Sequence, residues 1–202
     1  MSSFIIGVTG PMGAGKTTLC ESFREQGILI IDADGISKEV FNNSPEYVEL
    51  LTKEFGSEIL TDGRVDRKSL ADIAFLSKEN AQRLNRIAHP FIVKRIKEKL
   101  EEAKAQKIKV IAIDAPLLFE SSLDRYCNVV VTVISDLKVR KFRAINRGNI
   151  RKEDVINRIS IQPTDEFYVK NSDYVLYNRD KEALCEQARS LVAEVMEKFN
   201  EE

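Results

Sequence analysis

The run Gly10-Pro11-Met12-Gly13-Ala14-Gly15-Lys16-Thr17 fits G-x-x-x-x-G-K-[ST] and lies between two segments of opposite periodicity. Before it, Phe4-Ile5-Ile6-Gly7-Val8 is a short β-prone run. After it, Leu19, Cys20 and Phe23 recur at helical spacing. Strand, glycine-rich turn and helix in that order are the parts of a phosphate-binding loop, and the loop commits the chain to an α/β fold around it. Glycines let backbone N–H groups turn inward around an anion, and the first turn of the following helix adds unpaired N–H groups and the positive dipole end. Gly13, Ala14, Gly15, Lys16, Thr17 and Thr18 are therefore the candidate nucleotide-binding residues. Lys16 supplies a point charge for the β- and γ-phosphates, the Thr17 hydroxyl a ligand for Mg²⁺, and Thr18 a hydroxyl for the α-phosphate.

The rest of the chain supports the α/β reading. Short β-prone runs at 4–8, 28–31, 110–113, 129–134 and 174–176 alternate with helical stretches. The near-continuous apolar run Val129-Val130-Val131-Thr132-Val133-Ile134 fits a parallel strand buried on both faces. The expectation is a P-loop kinase fold, a parallel five-stranded sheet flanked by helices, as a single domain over residues 1–202. Two stretches depart from the alternation. Residues 35–107 are helical in pattern without a clear strand, with a turn at Asp62-Gly63, a cap at Asp66 and a break at Pro90. Residues 136–168 carry Arg140, Arg143, Arg147, Arg151 and Arg158 and form the candidate lid. The stretch from Lys181 to Phe199 places Leu184, Ala188, Leu191 and Val195 on one face, the pattern of a packing helix.

Composition narrows the partners. With 43% hydrophobic residues among 202 the chain can bury a substantial core, and 31 Lys+Arg against 32 Asp+Glu gives no general basic surface for nucleic acid or anionic membrane. The three cysteines Cys20, Cys127 and Cys185 are far apart and there is one histidine, so reduced thiols are expected rather than a metal cluster. No run approaches the roughly 18 apolar residues of a membrane span. A cytoplasmic protein is expected, a monomer or weak homo-oligomer that acts on a small molecule.

Three further positions carry chemistry. Asp32-Ala33-Asp34 follows the second strand, and ligands of open α/β sheets bind beyond the carboxyl ends of strands. In extended chain Asp32 and Asp34 share a face, so one of the two carboxylates is a candidate to accept the proton of an attacking hydroxyl. The competing reading makes Asp34 the cap of a helix starting near Ile36. Val110-Ile111-Ala112-Ile113-Asp114 is an apolar strand ending in a carboxylate, the arrangement in which Asp114 reaches Mg²⁺ directly or through water. Arg147, four residues after Arg143 and followed by Gly148, is the lid cation placed to meet transferring charge, the alternative being a solvated helix face. His89, before Pro90, is assigned a structural or substrate-shaping role.

Taken together these segments resemble the dephospho-coenzyme A kinase family over nearly the whole chain. The resemblance rests on Ile6-Gly7-Val8-Thr9-Gly10 through Lys16-Thr17-Thr18, on Gly27 through Asp34, on Phe55-Gly56 and on Asp62-Gly63-Arg64-Val65-Asp66-Arg67. It continues through Leu70, Leu84-Asn85-Arg86-Ile87-Ala88-His89-Pro90, Asp114 through Glu120, Arg158 with Gln162, and Asn178. It implies ATP as phosphoryl donor with Mg²⁺, a helical region receiving the coenzyme A moiety, an arginine-bearing lid, and Asp34 as base for a ribose 3′-hydroxyl. Lys16, Asp34 and Arg147 are then the catalytic candidates, and Thr17 and Asp114 the metal candidates. The chain departs from the family at Pro11 and Met12 for the usual Gly-Ile, at Thr17 for Ser, and at Gly148 where an acidic residue often stands. A nucleoside or nucleotide kinase would share the loop, Asp34 and lid. A GTPase-like switch would use Asp32-Ala33-Asp34-Gly35 as D-x-x-G but lacks an N-K-x-D motif. A binding module without catalysis would not need Lys16, Thr17, Asp34 and Asp114 together.

Overall fold

The computed structural model describes residues 3–148 and 151–201. Strands β1 (Phe4–Thr9), β2 (Leu29–Asp32), β5 (Val110–Asp114), β6 (Val129–Ile134) and β7 (Tyr174–Tyr177) form one sheet in the order β2-β5-β1-β6-β7. Every pairing in it is parallel. The five β-prone runs therefore become the five strands of this sheet, with ends shifted by one residue or so.

Parallel neighbours need crossovers, and the helices that supply them cover the sheet. Helix α1 (Lys16–Glu25) buries Leu19, Cys20 and Phe23, and burying Leu19 and Phe23 stabilises the fold by about 1.5–3 kcal/mol each. The same core holds Ile6 and Val8 of β1, Val131 and Val133 of β6, and Leu184, Ala188, Leu191 and Val195 of α9 (Lys181–Glu201). The apolar stripe of the last helix is a packing face.

Contacts divide the chain into two compact units, one of residues 1–32 and 100–202, the other of residues 33–99. The second contains α2 (Ala33–Asn43), α3 (Pro45–Phe55), β3 (Leu60–Thr61), β4 (Arg64–Val65), α4 (Arg67–Ala74) and most of α5 (Lys78–Ala105). Tyr47 and Leu51 are buried at its centre, with the Tyr47 ring 5.0 Å from Phe41 and 5.1 Å from Phe91. Desolvation pushes the Tyr47 hydroxyl above its usual range, so it stays neutral.

Three local expectations in this unit meet corrections. The stretch lacks no strand: β3 and β4 pair antiparallel about Asp62 (φ 52°) and Gly63 (φ 73°), a two-residue hairpin turn whose left-handed positions suit Asp-Gly. Pro90 does not break the helix, because α5 runs through it. The proline removes one ladder bond, and the buried Ala88, Ile96 and Leu100 hold the helix on either side of it. Asp34 does not share an extended face with Asp32 and does not cap a helix at Ile36, because α2 already begins at Ala33 and Asp34 sits in its first turn. Asp66, by contrast, caps α4, accepting from Lys68 N and Ser69 N at 3.2 and 3.1 Å.

The 136–168 region is built from α6 (Leu137–Asn146), α7 (Lys152–Ile161) and the start of α8 (Asp165–Asn171). Asp136 caps α6 and Thr164 caps α8.

Candidate active site

The phosphate loop is the turn between β1 and α1, and its shape is enforced from outside. Gly13 has φ 78°, and a Cβ placed on it would lie 2.4 Å from the Arg140 carbonyl oxygen. Gly15 has φ 117°, and its Cβ would lie 2.0 Å from the Asn178 side-chain nitrogen. Neither position tolerates a side chain, on backbone conformation or on space. Three polar bonds fix the curve between them. Ala14 N donates to Pro11 O at 3.2 Å. Met12 N donates to Gln162 Oε1 at 3.0 Å, and Asn178 Nδ2 donates to Ala14 O at 2.6 Å. Asn178 is itself fixed where β6 and β7 end, its N–H bonding Ile134 O at 2.8 Å.

Lys16 opens α1, and its ammonium donates to Gly10 O at 2.9 Å, bringing the charge back over the start of the loop. Thr17 is exposed and Thr18 half-buried, both in the first helical turn, where unpaired N–H groups face any anion held by the loop.

Sheet register gathers the carboxylates. Asp114 ends β5 with Val8 of β1 beside it on one side and Asp32 of β2 on the other. Asp114 is half-buried and accepts the Cys20 thiol. Burial raises that thiol's pKa far above its usual range, and repulsion from Asp114 and the hydrogen bond to it raise it further. Cys20 is thus a protonated core residue. Among the described residues no three His, Cys, Asp or Glu side chains form a metal cage. The donors present, one hydroxyl and one carboxylate, fit a hard ion that keeps water and phosphate oxygens in its shell, which is how Mg²⁺ is bound beside nucleotides.

The arginines of 136–168 separate by environment. Arg140 is buried, and one of its guanidinium nitrogens donates to both carboxylate oxygens of Asp165 at 2.9 and 3.2 Å. Arg151 is exposed and pairs with Asp154 three residues on, at 2.9 Å. Arg143 is half-buried, its Nη1 without a hydrogen-bond partner among the described residues. Arg147 is the exposed C-terminal cap of α6, followed by Gly148 at φ 67°, the left-handed exit glycine favours. Asp34 is exposed in the first turn of α2, two residues after β2 ends.

Of the residues that shape the site, Gln162 and Asn178 had no role assigned from sequence, and Arg140 was read only as one of the lid arginines. The first two stand among the segments that carry the family resemblance, which was the available signal. Their partners lie 150 and 164 positions away, beyond any periodicity argument.

A phosphate loop after the central strand of a five-stranded parallel sheet, with a carboxylate ending the neighbouring strand, defines the chain as a P-loop protein of the kinase type. Comparison with known proteins narrows this. The sequence model of the family described as dephospho-CoA kinase matches residues 4–183, and the chain belongs to that family. It is 36% identical over 197 residues to dephospho-CoA kinase of Corynebacterium glutamicum, covering 96% of this chain and 98% of the relative. Among solved structures it is similar to a protein of Thermus thermophilus, with TM-score 0.80 and 28% identity over 96% of this chain and 98% of the other. It is also similar to dephospho-CoA kinase from Campylobacter jejuni, with TM-score 0.66 and 25% identity over 97% and 98%.

Proposed function

We propose that this chain is an ATP-dependent kinase that transfers the γ-phosphoryl group of ATP to the ribose 3′-hydroxyl of dephospho-coenzyme A, releasing coenzyme A and ADP. The observation that carries the reading is the family match over 4–183. It spans the phosphate loop, the 33–99 unit and the α6–α8 segment together, whereas the loop alone would serve any nucleotide kinase.

The residues divide the work. Backbone N–H groups of Gly13 through Thr18, with the N-terminus of α1, hold the phosphates. Lys16 places its charge on the β- and γ-phosphates, where negative charge develops as the bond to the leaving oxygen breaks. Asp34 accepts the proton of the 3′-hydroxyl as its oxygen attacks the γ-phosphorus. Arg147, carried by the lid, meets the charge on the transferring group when the lid closes. Thr17 and Asp114 would hold Mg²⁺, which when bound neutralises charge on the phosphates. The helical region expected over 35–107 takes the role of acceptor subdomain and 136–168 that of lid. The proposed compartment is the cytoplasm, and no helix among the described residues is long and apolar enough to cross a membrane.

The test is turnover with Mg·ATP and a panel of dephospho-coenzyme A, nucleosides and nucleoside monophosphates, read as ADP formation and as the position of the new phosphate. ADP formed with dephospho-coenzyme A and a 3′-phosphate on the product is the expected result. Preference for a nucleoside or nucleotide would reassign the chain to a related kinase.

A further inference from the structure

The contacts between the lid and the phosphate loop form a closed circuit. Met12 N–H donates to Gln162 Oε1 at 3.0 Å. Gln162 ends α7 and, through Pro163, leads to Thr164, the cap of α8. The first residue of α8, Asp165, takes two hydrogen bonds from the buried Arg140 guanidinium. The Arg140 carbonyl oxygen fills the space where a side chain on Gly13 would be. Gly13 is bonded to Met12, and the ring closes. Two adjacent loop residues thus meet neighbouring elements of the 136–168 segment, Met12 the Gln162 side chain at the end of α7 and Gly13 the Arg140 backbone of α6, whose side chain is anchored on Asp165 at the start of α8.

This arrangement has a consequence for the loop's chemistry. The Met12 N–H points to a side chain of the lid instead of into the anion-binding curve. The glutamine bond ties the Met12 backbone to the α7–α8 connection, and Gly13 beside it abuts the backbone of α6. Arg140 cannot yield easily, being 5% exposed and twice bonded to Asp165. The glutamine is the softer link, a neutral hydrogen bond on a half-buried side chain.

We propose that Gln162 is a positioning residue for phosphoryl transfer: it couples the lid to the phosphate loop through the Met12 amide and touches neither substrate. The proposal rests on the kinase reading above. Gln162→Leu keeps the size of the side chain and removes the acceptor. It should lower kcat about tenfold and raise KM for Mg·ATP severalfold, since small misplacements of a reacting group carry costs of this order or more. The thermal midpoint and KM for dephospho-coenzyme A should stay near wild type. Gln162→Glu retains an oxygen for the Met12 N–H and should recover kcat to within about threefold of wild type. Hydrogen exchange supplies a readout independent of turnover: in Gln162→Leu the Met12 amide should lose protection while the Ala14 amide, bonded to Pro11 O, keeps it.

A folded Gln162→Leu enzyme with wild-type kcat and KM overturns the proposal. So does a Gln162→Glu enzyme as slow as a leucine variant, or, if the leucine variant does not fold, a glutamate variant more than tenfold below wild type. If wild-type protein forms no ADP with dephospho-coenzyme A, the kinase reading fails by itself. The coupling then stands or falls on Met12 exchange and on ADP affinity, which should drop severalfold in Gln162→Leu.

Discussion

The phosphate loop and the arginine-bearing segment 136–168, the two anion-binding regions of the proposed function, are specified in opposite ways. The loop works through backbone: its donors are N–H groups, its curve is fixed by Gly13 and Gly15 against Arg140 and Asn178, and one lysine adds the charge. The proposed lid would work through side chains, and its five arginines sit in different environments. Arg140 is locked to Asp165 and Arg151 to Asp154, while Arg147 stands exposed at the end of α6. A backbone site tolerates little change anywhere along it. A side-chain site concentrates its function in whichever residue has not been given to structure.

The largest expected effect lies in the loop. Lys16→Ala should cut turnover about a thousandfold while the protein stays folded, because a charge aimed at developing negative charge commonly contributes about 3–4 kcal/mol to the transition state. Lys16→Ala removes the bond from the half-buried Lys16 ammonium to Gly10 O, and thermal unfolding measured beside turnover shows that the variant stays folded. Near-normal turnover in the folded variant would sink the loop assignment and the comparison with it.

Asp34→Asn comes next, at roughly a hundredfold or more in kcat with both substrates still bound. The substitution separates base from helix element. Asn keeps shape and most hydrogen bonding at the start of α2, and it gives up the carboxylate's attraction to the helix dipole. Calorimetric binding with steady-state rates decides it, and a fully active variant would remove Asp34 from the mechanism.

How much of this was legible in sequence follows the same division. The loop could be read because its geometry is local: a glycine pattern, a strand before it and a helix after it lie within 25 residues. The five strands could be read because buried parallel strands are unbroken apolar runs. The register that sets Asp114 between Val8 and Asp32 is tertiary, and only the apolar run ending in Asp hinted at it. Pro90 misled because a local rule was outweighed by packing along α5. Asp34 was placed on an extended face because Ile30 and Ile31 read as a continuing strand, whereas the chain turns helical at Ala33. In the lid, nothing in Arg140 or Arg147 distinguishes a buried anchor from an exposed cation. The difference is set by Asp165, 25 positions beyond Arg140.

The division of labour in the lid predicts a change of stability for one arginine and of rate for the other. Removing one partner of a buried ion pair usually costs about 3–5 kcal/mol. Asp165 is 38% exposed and can be hydrated once released, so Arg140→Ala should cost less, about 2 kcal/mol or thirtyfold in the folding equilibrium. Denaturant titration measures it, and an unchanged midpoint would mean the pair is not structural.

Arg147→Ala carries the smallest expected effect and the sharpest test. Arg147 is exposed at the end of α6, where its N–H donates to Arg143 O at 3.2 Å and the Gly148 N–H to Ile145 O at 3.1 Å. Those are main-chain bonds that alanine keeps, and alanine is the better helix former, so stability should be unchanged. A cation meeting the transferring group only on closure acts on the transition state more than on the ground state. Turnover should therefore fall about tenfold, with ATP affinity measured in the absence of acceptor nearly intact. Arg147→Lys should recover little, because a point charge on a flexible stem does not reproduce a planar guanidinium. Pairing this variant with Arg143→Ala tests the neighbour four residues earlier on the same face. If the loss in rate appears with Arg143→Ala and not with Arg147→Ala, the buried Arg143 Nη1 that lacks a hydrogen-bond partner among the described residues marks the working cation. The contrast between loop and lid would survive with the lid residue reassigned. If neither variant moves kcat, α6 presents a solvated charged face, and transition-state charge is met by the loop alone.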